Sequence, residues 1–184
     1  MKNCLLKLAV SGVLLGGAVA AQAGSDVGSW TVGAGVMWTK LDKDRGLDDN
    51  YGFDYEVGYA VNEHWDLALN GFSGNHDDLS PGATWDHEIK GMTIDFDFVF
   101  NRGGTISPFI IGGVGVVDQY RPATALLNQD KEVVTKLGAG ATVDLTSWSG
   151  GKLQLKGDAY ARGSVGRGII DYAGTLGLQV AFGK

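Results

Sequence analysis

Residues with catalytic potential gather in one stretch. His76, Asp77, Asp78 and Ser80 are close neighbours, and His87 follows shortly after. A histidine beside a carboxylate and a hydroxyl can serve hydrolase or acyltransferase chemistry, in which a base activates a nucleophile and a third group orients the base. The spacing here sets out no such order, and polar residues in a loop are solvated by default. Asp42-x-Asp44 with Asp48 and Asp49 is a second candidate, a faint calcium loop. Its glycine is misplaced, and the glutamate that closes such a loop is missing. Gly113-x-Gly115 and Gly138-x-Gly140 lack the third glycine and following helix of a nucleotide fingerprint. No catalytic, cofactor or metal site is expected, and the chain reads as a non-enzyme.

A larger set of charges is spaced differently. Asp54, Glu56, Asp66, Asp95, Asp97, Asp144, Asp158, Lys136, Lys156 and Arg162 each fall opposite apolar residues in runs of period two. The clearest run is Met92, Ile94, Phe96, Phe98 and Phe100 against Gly91, Thr93, Asp95 and Asp97. Alternation of this kind is a strand with one oily face and one small or polar face.

Eight such stretches follow one another. They are Trp30 to Thr39, Tyr51 to Ala60, a third from Trp65 to Asn70, Trp85 to Phe100, Ser107 to Val117, Glu132 to Leu145, Leu153 to Arg162, and a last from Tyr172. Nearly all have the length of about 10 residues that crosses a bilayer at a tilt of about 45°. Long polar connections near 40–50, 73–84, 118–131 and 163–171 alternate with short turns near 61–64, 101–105 and 146–152. This predicts an all-β, eight-stranded, antiparallel, up-and-down transmembrane β-barrel, with turns on the periplasmic side and loops outside. An even strand count then places both termini in the periplasm.

The aromatics fall at strand ends. Trp30, Tyr59, Trp65, Phe98, Phe100 and Phe182 adjoin short turns or termini; Trp38, Tyr51, Phe53, Trp85 and Tyr172 adjoin long loops. Two belts match the interfacial preference of such rings. A soluble barrel or sandwich with the oily face as its core is the competing reading. Its outer surface would be poor cover in water, being largely Gly, Ala and Thr. These small residues suit a narrow lumen, and the charges there must pair or keep water. The expected network shares Lys136, Lys156 and Arg162 among Glu56, Asp95, Asp97 and Asp158.

The start of the chain reads as a removable export signal over 1–23: Lys2 and Lys7, an apolar run from Leu8 to Ala20, then Ala21-Gln22-Ala23. The barrel domain is then 24–184. Cys4, the one cysteine, leaves with the signal, as do two of the 15 bases. Thirteen bases against 21 acids give the remainder a net charge of −8, a poor match to nucleic acid. No later stretch reaches 18 apolar residues, so helical spans are excluded.

These residues also carry a resemblance. Asp44-Arg45-Gly46-Leu47-Asp48-Asp49, Gly58-Tyr59-Ala60-Val61-Asn62-Glu63-His64-Trp65, Phe98 to Gly104, Ser107-Pro108-Phe109 and Gly112-Gly113-Val114-Gly115 resemble the membrane domain of OmpA-type outer-membrane proteins. Thr175 to Phe182 resembles the closing strand by which the barrel-assembly machinery recognises such proteins. The resemblance implies an integral barrel of a Gram-negative outer membrane, surrounded by its lipids and lipopolysaccharide and monomeric. The peptidoglycan-gripping domain of many relatives is not expected here. The expected role is structural, with a narrow cation-preferring pore as its sharper form, since seven lumen acids face three bases. A surface adhesin or host-factor binder acting through the loops is the rival. Because some eight-stranded relatives modify lipid A, an enzyme of that type is the lesser one.

Overall fold

A computed structural model describes residues 26–79, 86–120 and 129–183. The export signal expected over 1–23 lies outside them. Among the described residues eight strands follow in order: β1 Trp30–Lys40, β2 Asn50–Ala60, β3 Trp65–Asp77, β4 Asp86–Val99, β5 Ile106–Tyr120, β6 Gln129–Trp148, β7 Gly151–Ser164 and β8 Ile170–Phe182. Each pairs antiparallel with the next, and β8 closes on β1 from Trp30↔Phe182 to Lys40↔Tyr172. Closure leaves no strand edge unpaired, which is what a hydrocarbon solvent requires.

The register fixes the barrel's shape. One row of partners runs Val133, Val116, Met92, Gly71, Tyr55, Ala34, Leu178, Leu155 and back to β6 at Val143, ten residues from its start. Such a stagger tilts the strands by about 35–45° to the axis and sets a narrow interior.

The alternation read from the sequence holds along every strand. Val32, Val36, Leu67, Leu69, Ile94, Phe96, Val114, Leu137 and Leu176 are exposed on the outer wall, whereas Met37, Asn70, Thr93, Asp95, Asp97 and Gln154 are buried inside. Strand bounds differ at the end that carries the long connections. β3 continues through 73–77, and β5 and β6 take up both ends of the expected 118–131 loop. There the outward residues turn polar, Ser73 and Asn75 on β3 and Lys90 on β4, while the ladder continues as Ser73↔Lys90 and Asn75↔Glu88. Hydropathy ends with the apolar band; hydrogen bonding does not. At the opposite end the expected 146–152 turn shrinks to Ser149-Gly150, with Gly150 at φ +87°.

The interior is not uniformly small or polar. At the loop end Met37, Phe72, Ile89, Val117, Val134, Tyr160 and Ala173 pack with Leu41 and Leu47, two residues of the first loop. A smaller apolar group, Val99, Phe109 and Ile111, packs at the other end.

Candidate functional site

The charged residues of the lumen sit at three levels. In the middle, Lys136 Nζ donates to Asp95 Oδ2 at 2.7 Å, with both side chains almost wholly buried. The two stand on β6 and β4, and Gly113 occupies the position between them on β5. A Cβ on Gly113 would strike the Asp95 carboxylate, so the missing side chain is what lets this pair close. Lys156 Nζ donates to Glu56 at 2.7 and 2.8 Å and to Asp97 Oδ2 at 3.3 Å. From Lys156 the row passes through Gly177 and Gly35 to Asp54, again over two positions with no side chain. A Cβ at Gly177 would come within 2.6 Å of the Ala34 carbonyl oxygen, so the backbones there are as close as glycine allows. The two ammonium groups also lie over rings, Lys136 at 4.2 Å from Tyr160 and Lys156 at 5.0 Å from Phe109.

Two members of the expected network are placed otherwise. Arg162 reaches none of Glu56, Asp95, Asp97 or Asp158; its Nη2 lies 3.4 Å from Asp171 and its guanidinium sits over Phe72. The stagger carries Arg162 beyond the middle level to the loop end, where β8 presents Asp171 directly opposite. Asp158 forms no ion pair among the described residues and accepts a hydrogen bond from Thr175.

At the turn end Arg102 folds back from the β4–β5 turn to pair with Asp66 and to donate to the Glu63 carbonyl at 3.1 Å. Gln179 donates to Gln154 at 2.7 Å and Gln154 to Asp144 at 2.6 Å, a chain that runs along the inner wall across the neighbouring strands β8, β7 and β6.

At the loop end the first loop enters the barrel. Lys43–Arg45 form one turn of 3-10 helix, capped by Asp42 and ended by Gly46 at φ +67°. This turn aims Arg45 inward: Nε donates to Asp171 at 2.9 Å and Nη2 to Glu132 at 3.1 Å. Arg167 pairs with the other oxygen of Glu132 at 2.9 Å. The four carboxylates of the faint calcium loop are placed apart. Asp42 and Asp49 accept backbone amides from Ile170 and Leu41, Asp48 accepts that of Asp49, and Asp44 is exposed.

The histidines also serve this rim. His76 and His87 are register partners, both buried and facing inward. His76 Nδ1 lies 2.9 Å from the Asp48 carbonyl, and His87 Nε2 lies 3.1 Å from Asp78 Oδ2. Ser80, the hydroxyl of that cluster, lies outside the described residues.

Little space is left among these charges, although a larger cavity of about 170 Å³ lies at the turn end, lined by Ser29, Trp148, Lys152 and Ala181. Two cavities in the lumen, one lined by Asp66, Arg102 and Lys156 and one by Asp54, Asp158 and Thr175, have a volume of about 20 Å³ each. That is room for roughly one water molecule.

Comparison with known proteins gives this geometry a family. The sequence model of the outer membrane protein beta-barrel domain matches residues 9–182. The chain belongs to that family. The OmpA-type resemblance and the eight-stranded barrel are thereby borne out. Several solved structures share the outer-membrane barrel fold. Ail, the attachment invasion locus protein of Yersinia pestis, is 15% identical with a TM-score of 0.56, covering 85% of this chain and 99% of its own. Neisserial surface protein A is 11% identical with a TM-score of 0.56, over 87% and 99%. OprG from Pseudomonas aeruginosa is 14% identical with a TM-score of 0.55, over 88% and 99%. No curated protein matches by sequence.

An outer-membrane barrel of this kind resides in the bacterial outer membrane, so the apolar wall meets lipid. The ring-bearing residues of the turn end lie on that wall in clusters. Trp30 packs on Tyr59 at 5.0 Å, and Phe98 touches both Trp65 and Phe100 at 5.1 Å. Phe182 stands beside Trp30, and Trp38 is exposed at the loop end. Trp85 lies outside the described residues.

Arg45, Glu132, Asp171 and Arg102 carry much of the outer-membrane barrel's inner architecture, and sequence periodicity passed over all four. Asp42 shows what ties the loop down. The amide of Ile170, and then that of Asp44, hold its carboxyl below the ordinary value of 3.8. A carboxyl lowered in this way supports the tie above its ordinary value and gives it up as pH falls through the lowered one. The Ile170 and Asp44 amide resonances should therefore shift together with a midpoint below 3.8. A midpoint at or above that value, or the same titration in Asp42→Asn, would count against the tie.

Proposed function

We propose that this protein is a structural, non-enzymatic outer-membrane barrel whose lumen is shut at rest. The observation that carries this is the pairing of ion bridges with cavities of about 20 Å³ each. The short turns and both termini face the periplasm, as short connections do in barrels of this type. The protein acts as a monomer among lipid and lipopolysaccharide, consistent with a wall closed by β1 and β8, and is inserted through Thr175–Phe182. In planar bilayers the purified protein should give no sustained conductance steps. In intact cells an aqueous maleimide should label Lys43→Cys and spare Ser149→Cys; the reverse pattern would invert the orientation.

One observation favours a pore as the second reading. The middle level holds five carboxylates, Asp54, Glu56, Asp95, Asp97 and Asp158, against the ammonium groups of Lys136 and Lys156. Such an excess would pass cations. Cation-selective steps that change in Lys136→Ala or Arg162→Ala would replace the closed reading with this one.

A further inference from the structure

The rim at the loop end holds a guanidinium on two carboxylates that stand on separate strands. Arg45 Nε donates to both oxygens of Asp171, at 2.9 and 3.1 Å. Its Nη1 and Nη2 donate to the two oxygens of Glu132, at 3.3 and 3.1 Å. The side chains of Arg45, Glu132 and Asp171 are 2%, 3% and 1% exposed, so the site is as enclosed as a protein core.

The carboxylates are held in place without Arg45. Asp171 is fixed on β8 opposite Arg162, which lies 3.4 Å from it. Glu132 is fixed on β6 opposite Val117 and is also paired with Arg167. Two carboxylates presented edge-on to one plane match the fixed fork of a guanidinium and match a rotating ammonium group poorly.

The guanidinium, by contrast, arrives on a loop. The stretch between β1 and β2 meets the end of β3 through single backbone bonds, Asp48 N to Asp77 O at 3.0 Å and Leu79 N to Gly46 O at 2.9 Å, around the bridge Leu47↔Asp78. It is also tied by Ile170 N to Asp42 and by the Asp48 carbonyl to His76. A further tie is the Asp42 amide, which donates to Asp171 Oδ1 at 3.1 Å and would leave that carboxylate together with Arg45. Leu41 and Leu47 complete the cover by entering the apolar cluster below.

We propose that this rim is a guanidinium-binding site and that Arg45 is its tethered occupant. An arginine side chain or another guanidinium compound from the loop-end solution takes the same two carboxylates when the first loop lifts away. The exchange leaves the charges of the cluster unchanged and uncovers the apolar cluster beneath. It does not depend on whether the lumen conducts.

The test uses methylguanidinium, with methylammonium as the control, on the full barrel in detergent micelles. Arg45→Ala empties the site. Methylguanidinium should bind this variant about ten-fold or more tighter than methylammonium. Adding Asp171→Asn to Arg45→Ala should remove that preference. Equal binding of the two cations, or a preference that survives Asp171→Asn, would overturn the proposal. In the unaltered protein, methylguanidinium and not methylammonium should shift the Arg45 Nε–H resonance and speed its exchange with water. An Arg45 signal indifferent to both cations would overturn the proposal by itself, even if Arg45→Ala fails to fold.

Discussion

Lys136→Met should destabilise the barrel by about 3–5 kcal/mol, because it leaves a buried carboxylate without its partner. Asp95 is 1% exposed and only its Oδ2 is bonded, at 2.7 Å to the lysine; Oδ1 has no hydrogen-bond partner among the described residues. A methionine fills the same space and carries no charge, so the loss is electrostatic rather than one of packing. Asp95→Leu added to Lys136→Met should recover most of the stability, since apolar replacement of a whole buried pair is often close to neutral. Urea unfolding in phospholipid vesicles measures both. A cost below about 1 kcal/mol for Lys136→Met would mean that water screens the pair as it does at a surface, and the shut lumen would be wrong.

Legibility in the sequence followed the physics of each feature. Met92, Ile94 and Phe96 against Asp95 and Asp97 need only a period of two to be assigned to opposite faces, and the structure places them so. Which acid meets which base is another matter. It depends on the ten-residue stagger, and period two is blind to stagger. Period two alone therefore groups Arg162 with Glu56, Asp95, Asp97 and Asp158, whereas the register sets it beside Asp171. The gap that Gly113 leaves for Lys136 and Asp95 has the same origin, because it exists only once β4, β5 and β6 are in register.

Arg45 was hidden for a different reason. Charged loops are solvated by default, and the loop around Asp42, Asp44, Asp48 and Asp49 looks like one. The available signal was Leu41 and Leu47, two large apolar residues within an otherwise charged loop. Both are buried at the rim. An apolar residue at each end of a charged loop is what a segment needs if it is to fold back over a hydrophobic interior. Val116-Val117 and Val133-Val134 gave a similar warning, since a doubled apolar residue places one member inside.

Leu137→Arg should cost about 2–4 kcal/mol relative to the parent, as a cation near the middle of the hydrocarbon layer does. Val165→Arg should cost little. The two sites are alike by accessibility: Leu137 is 68% exposed and Val165 60% exposed. If water bathed the whole surface, both substitutions would exchange an exposed apolar side chain for a solvated one, and both would be nearly neutral. They differ only in what surrounds them. Leu137 lies midway along the outward row of β6, between Thr135 and Ala139, whereas Val165 lies beyond the end of β7. Ile94→Arg, two strands round the wall on β4 at 50% exposure, should follow Leu137. Unfolding in vesicles reads the difference directly, and repeating it across lipids of different chain length should move the penalty at Ile94 and Leu137 but not at Val165. Equal tolerance at all three positions would put water where hydrocarbon is assigned, and the inward-facing ion pairs would then lose the reason for their burial.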